Sequence, residues 1–161
     1  MKNLLYIVAF LVSFNTYAEC LLETSQDDEL SSELANKGWN FEKYDELCQK
    51  LKRANAGIQI DQVAFITQYQ TTVSTSIKIY PIEIEKKYNQ RILSQRGFNA
   101  IAGNPARTSV IQKELKYINA NFGLNSLITE GGLPDMLNNI DKIRKIIKPW
   151  FLIFFRDQKE F

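Results

Sequence analysis

GIQIDQVAFITQYQTTVSTSIKIYPI, residues 57–82, decides the fold class. The stretch is crowded with β-branched side chains, and two runs within it alternate. Val63, Phe65, Thr67 and Tyr69 share one parity, and Val73, Thr75, Ile77 and Ile79 form a second run of the same kind, the pattern of half-buried strands. The spacing predicts two antiparallel strands joined near Gln70. The link holds no Gly, Asn or Asp that would name its turn type, and a short helix over residues 61–68 competes for the first run. Pro81 ends the second strand.

Helical signals lie on both sides. In TSQDDELSSELANKG, residues 24–38, Ser25 can cap, Asp28 answers three residues later, and Leu30 and Leu34 form a thin apolar edge before Gly38. NFEKYDELCQKLKRANAG, residues 40–57, runs from acids (Glu42, Asp45, Glu46) to bases (Lys50, Lys52, Arg53), which suits the helix dipole. Asn40 is its expected cap and Gly57 its stop, and Phe41, Tyr44, Cys48 and Leu51 line one face beside Leu47.

After Pro81 a helix is expected over EIEKKYNQRILSQRG, residues 83–97, with Ile84, Tyr88 and Ile92 on one stripe. FNAIAG, residues 98–103, reads as a small-residue loop. NPARTSVIQKELKYINANFG, residues 104–123, carries Asn104 as cap, Pro105 at the first helical position and Gly123 at the end. Its buried stripe would be Ile111, Leu115, Ile118 and Phe122. A last helix over PDMLNNIDKIRKIIK, residues 134–148, aligns Leu137, Ile140, Ile143 or Arg144, and Ile147, and breaks at Pro149. The apolar run at residues 150–155 would be a buried strand. The expected fold is therefore α+β: N-terminal helices, a short antiparallel β-hairpin or small sheet, and a mainly helical C-terminal half with a final apolar strand.

The N-terminus reads as an export signal. Lys2 is the only charge before the apolar run from Leu4 to Val12, and Thr16 and Ala18 are small residues at −3 and −1 of a cut after Ala18. The run is shorter than the ~20 residues a spanning helix needs. Residues 1–18 are expected to be removed, leaving residues 19–161 as a single α+β domain with an acidic N-terminal arm. Glu19 stands directly before Cys20 and argues against lipidation there, so the localisation is periplasmic or secreted and the chain is not a lipoprotein. Cys20 and Cys48 are the only cysteines, and an oxidising compartment with an even count favours a disulfide between them.

Charge is unevenly placed. Residues 19–48 carry nine acids against Lys37 and Lys43, net −7, whereas residues 49–161 carry net +8. Such separation speaks to packing or association rather than fold. The chain has no histidine, which removes the usual triad and dyad bases and most zinc sites. No metal site or cofactor is expected, and no phosphate-loop or nucleophile-elbow pattern is present. Glu83 and Glu85 are a carboxylate pair that reads better as a solvated edge flanked by lysines than as a glycosidase dyad.

Two segments are candidate contact sites. Asn104, Arg107, Thr108 and Ser109 place donors at a helix N-terminus where an anion can bind. Trp150, Phe151, Phe154 and Phe155 would serve as a partner or membrane contact if the terminal run were not buried. The favoured function is that of an exported, non-catalytic protein acting on another envelope or secreted protein, as an inhibitor, immunity-type binder or accessory subunit. Nucleic acid is not an expected partner. The alternatives are an exported hydrolase using carboxylates and Arg107, and a peripheral membrane protein using its C-terminal segment.

Overall fold

A computed structural model describes residues 20, 22–24 and 28–154. The signal-peptide reading of residues 1–18 and the site assignment of Phe155 lie outside the described residues. The elements, in chain order, are β1 (Leu22–Thr24), α1 (Asp28–Lys37), α2 (Tyr44–Arg53), β2 (Ala56–Ile66), β3 (Thr71–Pro81), α3 (Ile82–Tyr88), β4 (Phe98–Asn104), α4 (Ser109–Thr129) and α5 (Gly132–Phe154). The fold is α+β, as the sequence pattern leads one to expect.

The 57–82 stretch forms the two long central strands, and no helix intervenes at residues 61–68. β2 and β3 pair antiparallel over eleven residue pairs, from Ala56 opposite Pro81 to Ile66 opposite Thr71. β4 adds antiparallel to β3, and β1 adds parallel to β2, giving the strand order β1-β2-β3-β4. The turn at residues 67–70 is built by Thr67. Its hydroxyl accepts from the Tyr69 and Gln70 amides and donates to the Gln70 carbonyl, so a threonine takes the place usually given to Gly or Asn.

β3 has the expected parity: Val73, Thr75, Ile77 and Ile79 are all fully buried. β2 does not. Ile58 and Ile60 face the core, and Val63 and Phe65 stand on the opposite face in solvent. Register explains this: Ile58 and Ile60 sit opposite Ile79 and Ile77, and residues directly opposite point to the same side. The core is closed by Leu30, Leu47, Leu51, Ala120, Leu124, Leu127, Leu133, Met136 and Ile140 from the helices.

Several expected boundaries move. α2 is not capped by Asn40; its N-cap is Lys43, whose side chain makes no cap bond. Instead, Asn121 and Asn125 on α4 accept from the Asn40 and Lys43 amides at 2.8 and 3.2 Å. The stop of α2 is Ala54 followed by Asn55 at φ 46°, not Gly57. α3 is only seven residues long because Asn89 turns left-handed at φ 51° and returns its amide to Glu85. The chain beyond it runs beside the end of β3, where the Ser94 amide donates to the Ile79 carbonyl and the Ser94 hydroxyl accepts from the Ile79 amide.

Residues 98–104, expected as a loop, form edge strand β4, so Asn104 ends a strand rather than capping a helix. α4 is capped by Thr108, whose side chain accepts from the Ile111 amide at 3.2 Å, and it runs through Gly123 to Thr129. The expected final strand at residues 150–155 is also corrected. The backbone of α5 continues helical through Pro149 to Phe154. Proline removes one i→i−4 bond, and a helix of 23 residues keeps the rest.

Gly57 sits where only a hydrogen fits. A Cβ there would lie 2.4 Å from Tyr80 Cζ, and Tyr80 is fully buried directly opposite it. The Arg91 guanidinium lies over that ring at 4.4 Å. Gly57→Ala is therefore expected to cost about 2 kcal/mol in urea unfolding. A loss near zero would show that the Tyr80 ring is free to move.

Candidate binding surface

The cysteines come together as expected. Cys20 and Cys48 are disulfide-bonded with a Cα–Cα distance of 5.1 Å. The bond lies between the chain leading into β1 and the middle of α2, and Cys20 packs against the core. Cys20 thus fixes where β1 meets the sheet.

Residues at the start of α4 are placed, but not as a cluster around one point. Asn104 Oδ1 accepts from the Ala106 amide at 2.8 Å, closing a local turn. Arg107 donates to the Gln68 carbonyl, tying this loop to the β2–β3 turn. Thr108 is the cap, and Ser109 opens the helix. Trp150, Phe151 and Phe154 lie on the last turns of α5. The Glu83 and Glu85 carboxylates each hold a different arginine. Glu83 accepts from Arg144 Nε at 2.5 Å and from Asn55 Nδ2 at 2.8 Å, while Glu85 accepts from Arg91.

Arg144 also donates to the Ala54 and Asn55 carbonyls and to Asp141. Burial works against its charge, but its hydrogen bonds to Glu83 and Asp141 outweigh that, and its pKa is raised. Its role is to clamp α5 to the α2–β2 corner.

The packing of α4 is the least expected feature. The helix turns its small and polar residues to the sheet. Asn119 Nδ2 donates to Thr75 Oγ1 at 2.7 Å, Ala100 O at 3.1 Å and Val73 O at 3.2 Å. Gly123 approaches so closely that a Cβ would lie 3.0 Å from Ile77 Cδ1. Lys116, nearly buried, pairs with Glu29 of α1 at 2.8 Å. With that face inward, Leu115 is buried but Ile118 and Phe122 stand 50% and 58% exposed, so half of the expected stripe is open to solvent.

The sheet has one face on the helices and one outward. At its near end the outward face is covered by Tyr80 and Arg91, with Gln59 accepting from Arg91 and donating to Asp61 at 3.0 Å. At its far end no described residue covers it. Val63, Ser74 and Ile101 form one cross-strand row, and Phe65, Thr72 and Gly103 form the next. Val63, Phe65 and Ile101 are 54%, 57% and 71% exposed, and Tyr69 at the turn is more exposed still. No charged residue stands in these two rows. Parity alone could not find this surface, because it gives alternation without saying which side faces the core.

Among the described residues, concavities also lie elsewhere. A groove of about 350 Å³ runs over α4 between Phe41, Tyr117, Ile118 and Phe122, with Asn40 and Asn125 also lining it. A polar recess of about 160 Å³ lies between Arg96, Asp135, Asn139 and Lys142, bridged by the Arg96–Asp135 pair at 2.7 Å. Among the described residues no group of three or more Cys, Asp or Glu side chains is placed to hold a metal ion, and no helix is long and apolar enough to cross a membrane. Comparison with protein-family profiles, with curated proteins and with solved structures returns no match.

Proposed function

We propose that this chain is an exported, non-catalytic binding protein of the bacterial periplasm or envelope, and that it recognises another protein through the exposed end of its sheet. The observation that carries the reading is the exposure of Val63, Phe65 and Ile101 in two neighbouring cross-strand rows without a charged residue, beside the exposed Tyr69. Single exposed apolar residues are ordinary on a monomer, but a contiguous group of large ones marks a contact surface. Aromatic anchors with small hydroxyl neighbours (here Thr72 and Ser74) suit a protein partner, since rings supply area at low entropy cost. The acidic N-terminal portion and the basic remainder add the charge asymmetry that steers association.

Affinity capture from an envelope extract tests this. The wild-type chain is expected to retain a discrete partner that the Val63→Lys/Phe65→Lys variant loses. Both positions are more than half exposed, so the variant keeps its fold and its melting temperature serves as the control. Equal capture by both chains, or none by either, would defeat the reading.

A further inference from the structure

We propose that the groove between α4 and the α1–α2 connection is a binding site for a neutral oligosaccharide. It lies on the helical side of the protein, away from the Val63–Phe65 rows, and does not rest on the function proposed for them.

The groove measures about 350 Å³, the size of a small ligand cleft, and such clefts combine aromatic walls with a few polar groups. α4 supplies its floor as two adjacent rows. Ile118 and Phe122, one turn apart, are 50% and 58% exposed, and beside them run Tyr117, Asn121 and Asn125. From Tyr117 to Asn125 the helix rises about 12 Å, longer than one sugar ring. The opposite wall is Asn40, Phe41 and Glu42.

That wall is held in place. Asn121 and Asn125 accept from the Asn40 and Lys43 amides, and the Tyr117 hydroxyl donates to the Gly38 carbonyl at 3.1 Å. Phe41 packs edge-on against Trp39 and Tyr44, with ring centroids 6.4 and 5.5 Å away. A site fixed before binding loses little freedom when a ligand enters.

The polar groups left over select the ligand. Among the described residues the Asn40 carboxamide and Asn125 Nδ2 have no partner, and the Glu42 side chain is largely exposed. Donors and acceptors therefore stand beside exposed apolar and aromatic side chains. A sugar matches that pairing. Its C–H face rests against the negative face of an aromatic ring, and each hydroxyl on its rim both donates and accepts.

Other ligand classes fit worse. The lysines beside the groove are committed, Lys37 to Glu33 at 2.6 Å and Lys43 to Glu42 at 3.1 Å, so neither is free to hold an anion. A peptide adding as a strand finds no open main chain, because α4 is helical and the Asn40 and Lys43 amides are taken. A fatty chain would cover the Asn40 and Asn125 amides without satisfying them, which costs free energy.

Amide NMR titration of the oxidised chain with chitotetraose, cellotetraose and maltotetraose is the test, with octanoate as the apolar competitor. At least one of the three sugars is expected to shift the signals of residues 40–42 and 117–125 saturably, with a Kd on the order of 1 mM, because an open groove leaves part of the ligand in water. Phe122→Ala is expected to weaken that binding at least tenfold, and Phe122→Tyr, which keeps the ring, to leave it within about twofold. Phe122 is more than half exposed, so both variants keep the fold, and unchanged β2–β3 signals confirm it. No saturable shift from any of the three sugars, shifts that lie outside the groove, binding unmoved by Phe122→Ala, or a stronger response to octanoate than to every sugar would each overturn the proposal.

Discussion

Replacing both cysteines, Cys20→Ala with Cys48→Ala, is expected to destabilise the chain by about 3.5 kcal/mol, the loop-closure value for this span on the chain-entropy model. The bond joins residues 28 apart, and the enclosed segment holds β1, α1 and the first turn of α2. β1 is only three residues long, matched to Ile58–Ile60. Ordering each backbone residue costs about 1–2 kcal/mol, so this short strand cannot hold its place by pairing alone. Hydrogen exchange should therefore show loss of protection at Leu22–Thr24 before the β2–β3 pair changes. In urea the midpoint falls and the m-value rises, because the uncrosslinked unfolded chain exposes more surface. A loss under about 1 kcal/mol would show that α1 and its Glu29–Lys116 pair anchor the arm without the staple.

Ile77→Ala is expected to cost about 3–4 kcal/mol, the range for a core Ile with little room to collapse. Ile77 is fully buried at the centre of the sheet, between Ile60 of β2 and Phe98 of β4. Its Cδ1 is the atom that the bare Cα of Gly123 on α4 receives. Three carbons removed there leave a void bounded by two paired strands and a helix, none of which can close alone. The contrast is Ile101→Ala on the outward face, expected to change stability by under about 0.5 kcal/mol. Equal effects at the two positions would contradict the assignment of inner and outer faces.

Periodicity alone makes the two central strands legible, since β-branched residues at period two have few alternative homes. The acid-to-base order of α1 and α2 makes those helices legible too. The departures have physical causes. β4 carries Asn, Ala and Gly, residues of low strand preference; pairing with β3 holds it extended, and that partner lies more than twenty residues away in sequence. Asn104 and Pro105 look like a helix start because caps and turns use the same side chains. The inward face of α4 escapes the apolar pattern because Asn119, Ala120 and Gly123 count little as hydrophobic signal, yet Asn119 alone reaches three acceptors on the sheet.

The staple is readable from the two cysteines, the one pair that the sequence offers. The exposed end of the sheet is not. Val63 and Phe65 stand out only as members of an alternating run, and their exposure depends on register: Ile58 and Ile60 take the inward side, so the next odd-numbered residues go outward. The groups singled out at the start of α4 are spent on capping and on the Gln68 carbonyl.

The most direct measurement of the central claim is photo-crosslinking in living cells with a benzophenone side chain at position 65, and with the same group at position 87 as a control. Both sites are exposed, but only position 65 belongs to the far end of the sheet. The account predicts a discrete adduct to a protein other than this chain at position 65 and none at position 87. No adduct at position 65, or the same set of adducts at both positions, would contradict it.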